Sequence, residues 1–70
     1  MSHVEVIARR LLDIREVATY TGLSPHTLYT MVSQRRIPFV KLGGALRFDK
    51  AKVDDWIKIN TVLPMPPRMG

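Results

Sequence analysis

The sequence predicts a small α+β fold, mostly helical, built from three short helices and one two-stranded hairpin. Three observations carry that prediction. Apolar residues recur at helical spacing in three segments, each preceded by a residue able to cap a helix: Asp13, Ser24 and Asp49. Between the second and third segments the period changes to two, around Gly43-Gly44-Ala45. The chain has 70 residues and no cysteine, which leaves room for one apolar core and offers no disulfide or thiolate metal site to support it.

Taken in order, Met1 to Arg10 shows weak alternation at Val4 and Val6 and reads as an arm or a short strand. Leu11 and Leu12 should pack beneath the start of the first helix. Asp13 followed by Glu16 is a capping-box pattern, in which each side chain serves the other's backbone amide. The first helix is expected from Ile14 to about Tyr20, burying Ile14, Val17 and Ala18. A steep crossing by the next helix needs a small residue at the contact, here Ala18. The reversal between them needs a residue that tolerates positive φ, here Gly22.

Ser24-Pro25 marks the second helix: Ser24 caps, and Pro25 suits the first helical position, where its missing N–H costs nothing. This helix should end near Ser33 or Gln34, with Arg35 and Arg36 at its negative dipole end. Leu28 and Met31, three apart, face the first helix. The opposite face carries His26, Thr27, Tyr29, Thr30 and Ser33, all able to hydrogen-bond and none carrying a full charge. A helix-turn-helix with such a face suits the reading of a DNA major groove.

Two hairpin registers compete between Ile37 and Phe48. A two-residue Gly43-Gly44 turn sets Val40 beside Arg47 and Lys41 beside Leu46, mixing the faces. A three-residue loop pairs Leu42 with Leu46, Val40 with Phe48 and Lys41 with Arg47, separating an apolar from a basic face, and is the expected register. The opposed cations would then call for an anion above them. Asp49 should cap a third helix from Lys50 to about Ile59, in which Val53, Trp56 and Ile57 share a face and Trp56 is the largest core anchor. From Asn60 the chain reads as a tail, since Leu63-Pro64-Met65-Pro66-Pro67 cannot continue a helix. The expected organisation is an arm (1–10), a folded domain (11–59) and a Pro-rich tail (60–70).

The formal charge is +5, and its placement is uneven. Up to Gln34 the charges cancel; from Arg35 to Lys52 there are Arg35, Arg36, Lys41, Arg47, Lys50 and Lys52 against Asp49 alone. Such a patch favours phosphate backbones or another anionic surface, although a basic patch can also be no more than a solvated face. His3, Glu5 and Arg9-Arg10 interrupt any signal-peptide pattern, and no apolar run approaches membrane-spanning length. The expectation is a soluble cytoplasmic protein that uses no membrane.

Enzymatic chemistry is not expected. Ser24 and His26 lie two apart at a helix start and do not face each other; Asp54 and Asp55 are adjacent and point in different directions. His26 has only the distant His3 as a companion, so no metal is expected, and no cofactor either. Gly43-Gly44 lacks the Lys-Ser/Thr of a phosphate loop.

Helix-turn-helix, hairpin and packing helix together make a small winged helix-turn-helix. From Leu11 to Ile57 the sequence resembles the excisionase-type DNA-binding family, related to mercury-resistance-type regulators. The resemblance rests on Leu11-Leu12, Glu16-Val17-Ala18, Gly22-Leu23-Ser24, Thr27-Leu28-Tyr29, Ile37-Pro38, Val40-Lys41, Gly43, Arg47-Phe48 and Trp56. It implies duplex DNA binding through the second helix and the wing, bacterial or phage origin and association with the nucleoid. His26, Thr27, Tyr29 and Thr30 would face the major groove, with Arg36, Lys41 and Arg47 near phosphates or the adjacent minor groove. Ser24 and Pro25 at the helix start and Arg35 at its end complete the DNA-binding candidates. Many members resemble recombination directionality factors, which bend DNA beside an integrase; others look like small transcriptional regulators. A protein-interaction adaptor using the wing or the tail is the alternative from a different class. The sequence departs from the pattern with Arg36 before Ile-Pro, where glycine is frequent, and with Gly44-Ala45 at the wing tip, where basic residues are frequent. Three prolines after the third helix forbid a long pairing helix, so a monomer in solution with neighbouring copies on DNA is expected.

Overall fold

The computed structural model describes residues 10–65. Its elements run β1 (Leu11–Leu12), α1 (Ile14–Thr21), α2 (Pro25–Ser33), β2 (Val40–Leu42), β3 (Ala45–Asp49) and α3 (Lys50–Ile59). The three helices and the hairpin are those of a small winged helix-turn-helix. The Val4/Val6 arm and the prolines at 66 and 67 lie outside the described residues.

Each helix begins where its cap places it. Asp13 Oδ1 accepts from Glu16 N at 2.9 Å while Glu16 Oε1 accepts from Asp13 N at 3.0 Å, closing the capping box. At the end of α1 the chain reverses through Gly22 at φ 78°, whose N–H donates to the Ala18 carbonyl. Helix α2 ends differently. Arg35 takes φ 56°, Arg36 N donates to Met31 O at 2.8 Å and Arg35 N to Val32 O at 3.0 Å. These are the paired bonds of a Schellman ending, with arginine at the left-handed position that glycine usually fills. That position is Arg35, one residue before the Arg36 site singled out by the family pattern.

The hairpin register is not the expected one. Val40 pairs with Arg47, Lys41 with Leu46 and Leu42 with Ala45, leaving a two-residue Gly43-Gly44 turn. Both glycines have positive φ, 57° and 99°, as a primed turn requires, and such turns match the twist of the strands. Lys41 and Arg47 consequently lie on opposite faces, which removes the like-charge opposition and with it the argument for an anion between them. Mixed faces cost little here because the tip projects beyond the core: Lys41 and Leu42 are both exposed. A register is strongly specified only where one face is buried.

Leu11 and Leu12 do more than pack beneath α1. They form β1, antiparallel to the far side of β3, with Leu11 opposite Asp49 and Leu12 opposite Phe48, so among the described residues the sheet has three strands in the order β1-β3-β2. The core comprises Leu12, Val17, Leu28, Phe48 and Val53, one each from β1, α1, α2, β3 and α3, together with Ile37 from the segment between α2 and β2. Phe48, not Trp56, is the largest fully buried side chain. Trp56 is half-buried against that core, because its indole N–H needs a partner and finds one at the edge, the Arg36 carbonyl at 2.9 Å. Ile57, expected on the buried face of α3, is exposed. A second tie joins α1 to α3: the Tyr20 hydroxyl donates to Asp54, and the Lys50 ammonium lies 5.3 Å from the Tyr20 ring centre. The bond to Asp54 raises the Tyr20 pKa above its ordinary value, reinforced by partial desolvation and the neighbouring carboxylate.

Candidate nucleic-acid interface

The site is built around α2. Leu28 is fully buried, so the helix is held by one face, and successive residues step about 100° around its axis. That leaves Pro25, His26, Thr27, Tyr29, Thr30 and Ser33 exposed, with Met31 and Val32 half-buried at the seam. The structure thus brings His26, Thr27, Tyr29 and Thr30 together on the solvent face. Ser24 is exposed beside them but its hydroxyl serves the helix: it accepts from Thr27 N at 3.1 Å and donates to Thr27 Oγ1 at 3.0 Å. It is turned to Thr27 rather than His26, which is not the geometry of a nucleophile and its base. Thr30 Oγ1 donates back to the His26 carbonyl at 3.1 Å.

The cations flank this face at different places. Arg35 and Arg36 are both exposed at the C-terminal end of α2, where Arg36 Nη1 donates to Gln34 Oε1 at 3.0 Å. The Schellman bonds and the Trp56 indole together hold the backbone that carries them. Lys41 is exposed on the wing. Arg47 is half-buried on the other face, its Nη1 donating to the Leu46 carbonyl at 2.8 Å. The helix residues thus share the exposed side of α2 and the two arginines follow at its end, whereas Lys41 and Arg47 do not form a common basic face.

The helix-turn-helix domain family matches the chain over residues 11–60, from β1 to the end of α3. This chain belongs to that family, the excisionase-like helix-turn-helix domains. Comparison with curated proteins and with solved structures returns no match. Membership assigns DNA binding in general, and the family is typically non-enzymatic. Among the described residues no group of three or more His, Cys, Asp or Glu side chains could hold a metal ion, and no helix is long and apolar enough to cross a membrane.

Two positioning contacts of this helix-turn-helix domain are missing from a reading by sequence. Trp56 reads as core, and only its aromatic N–H hints that it must also find an acceptor, here the turn after α2. Arg10 reads as part of the arm, yet its Nε and Nη2 both donate to Asp49 Oδ2, at 3.2 and 3.0 Å, across 39 residues of sequence. Asp49 is buried and also caps α3 through Ala51 N at 3.1 Å. Its carboxyl is held below the usual carboxylate range first by the Arg10 hydrogen bonds, then by the Ala51 amide and nearby positive charge, which outweigh desolvation. The neighbouring backbone bond, Lys50 N to Arg10 O at 2.9 Å, fixes the same junction of β1, β3 and α3.

Proposed function

We propose that this domain binds duplex DNA sequence-specifically as a recombination directionality factor, bending the duplex beside an integrase. The observation that carries the DNA reading is the uncharged, exposed, hydrogen-bonding face of α2, with exposed arginines at its end and an exposed lysine on the wing. In this reading Ser24, Pro25, His26, Thr27, Tyr29 and Thr30 meet the groove, and Arg35, Arg36, Lys41 and Arg47 meet phosphates. The DNA-binding unit is 11–59, flanked by an arm (1–10) and a tail (60–70), and it works in the bacterial or phage nucleoid.

The protein acts as a monomer that recruits neighbours on tandem sites. So small a footprint buries about 600–1,000 Å² on DNA, which holds a lone site weakly; a neighbour adds affinity by raising effective concentration. Head-to-tail neighbours give an open array whose small bends add. The exposed apolar side chains of Ile59, Val62, Leu63 and Met65 offer the contact surface for an integrase or a neighbouring copy.

Duplex affinity measured against salt tests the first part. With about 3–5 phosphate contacts, log K should fall with log salt at a slope of about −2.7 to −4.5. Salt-independent affinity, or no duplex binding at low salt, refutes it and leaves the adaptor reading. Sedimentation, with gel shifts on single, tandem and inverted sites, tests the second part. A stable dimer preferring inverted half-sites makes the protein a transcriptional regulator instead.

A further inference from the structure

We infer that α2 recognises thymine by its 5-methyl group, so that the preferred duplex is defined by thymine methyls rather than by paired hydrogen bonds to guanine or adenine. This rests on the DNA-binding reading and specifies its ligand.

The argument begins with what the groove-facing surface lacks. Guanine is read most often by a two-pronged contact from Arg or Lys, and adenine by a two-pronged contact from Asn or Gln. Residues 25–33, the whole of α2, contain none of these four types. The chain has one asparagine and one glutamine, and both amides are engaged elsewhere. Asn60 Nδ2 donates to the Trp56 carbonyl at 2.8 Å, at the far end of α3, and Gln34 Oε1 accepts from Arg36. The arginines nearest α2 follow its C-terminus, whereas base edges are met chiefly by the N-terminal part of a recognition helix.

What that part offers instead is two exposed threonines, Thr27 and Thr30, one turn apart. Each hydroxyl oxygen already makes one hydrogen bond within the protein. Thr27 Oγ1 accepts from Ser24 Oγ, and Thr30 Oγ1 donates to the His26 carbonyl. Each bond ties Oγ1 to a neighbouring group of the protein and so favours one χ1 rotamer, which holds the methyl in a fixed place beside it. A threonine methyl against the thymine C5-methyl is an established apolar mode of base readout. His26 and Tyr29, exposed beside them, can each offer a single hydrogen bond to a base edge but not the two-pronged contact that singles out a purine.

The test uses the full 70-residue chain. A preferred site is first selected from a randomised duplex pool at fixed salt. Each thymine in it is then replaced singly by deoxyuridine, which removes only the methyl, and affinity is read by fluorescence anisotropy. Uracil should weaken binding about four-fold at one or two positions, the Boltzmann factor for one buried methyl-sized group. Thr30→Ser and Thr27→Ser keep hydroxyl and helix but delete the methyl. At least one of them should bring the thymine-to-uracil ratio at a matching position close to one while still binding the duplex. A selected site with no required thymine, a wild-type protein indifferent to every uracil, or serine variants that keep the full ratio would each overturn the inference. In those three cases salt-dependent duplex binding survives, so they are distinct from failure of the DNA-binding reading, in which no duplex is held at all.

Discussion

Replacing Arg35 by glycine should stabilise the protein. Arg35 sits at φ 56°, the left-handed region, at the end of α2. An L side chain held there costs roughly 1–2 kcal/mol, because Cβ approaches the carbonyl oxygen. Glycine removes that cost but brings a more flexible unfolded chain, which returns roughly 0.5–1 kcal/mol. The two Schellman bonds, Arg35 N to Val32 O and Arg36 N to Met31 O, involve backbone only and survive the change. The net expectation is a gain of about 0.5–1 kcal/mol, which in a domain of this size raises Tm by about 2–8 °C. Urea and thermal unfolding followed by circular dichroism read it directly. Arg35→Ala is the control, since it also deletes the charge but keeps a Cβ in the left-handed position. It should leave stability nearly unchanged while weakening DNA binding as much as Arg35→Gly does. If glycine gains nothing over alanine, the backbone at 35 is not strained and the reasoning fails.

Two further predictions separate the parts of the interface and of the fold. Thr30→Ala and His26→Ala should each lower affinity for the preferred site by about 1 kcal/mol and leave scrambled DNA nearly untouched, whereas Lys41→Ala should weaken both alike and flatten the salt slope by about one. Equal losses on both duplexes for the helix variants would show that the recognition face is misassigned. Stability should decline in acid: because the folded Asp49 carboxyl titrates below its ordinary value of about 3.9, its contribution is present above that pH and is lost as pH falls through the folded value. Arg10→Ala should shrink this acid-dependent part in urea titrations between about pH 5 and pH 2, and an unchanged pH profile would remove Arg10 from the junction.

The helices were legible in the sequence because their signals are local. Asp13 with Glu16, Ser24 with Pro25, and Asp49 each satisfy amides within three residues, so cap and helix start are read from neighbouring letters. The exposed face of α2 follows from the helical period once Leu28 is placed inward, and most of the candidate site came with it. The hairpin did not follow, because segregation of faces is a rule about buried surface and this tip is not buried. There the paired positive-φ glycines and the separation of Lys41 from Arg47 decide the register. Other features depend on partners that only the assembled chain supplies. Leu11-Leu12 is a strand because β3 offers its free edge, Trp56 sits at the rim because the Arg36 carbonyl is there, and Arg10 meets Asp49 because β1 pairs with β3. Two residues cannot hold a strand, nor an exposed arginine a fixed pose, by local preference alone. Long-range pairing supplies that free energy, and it exists only once the fold has closed.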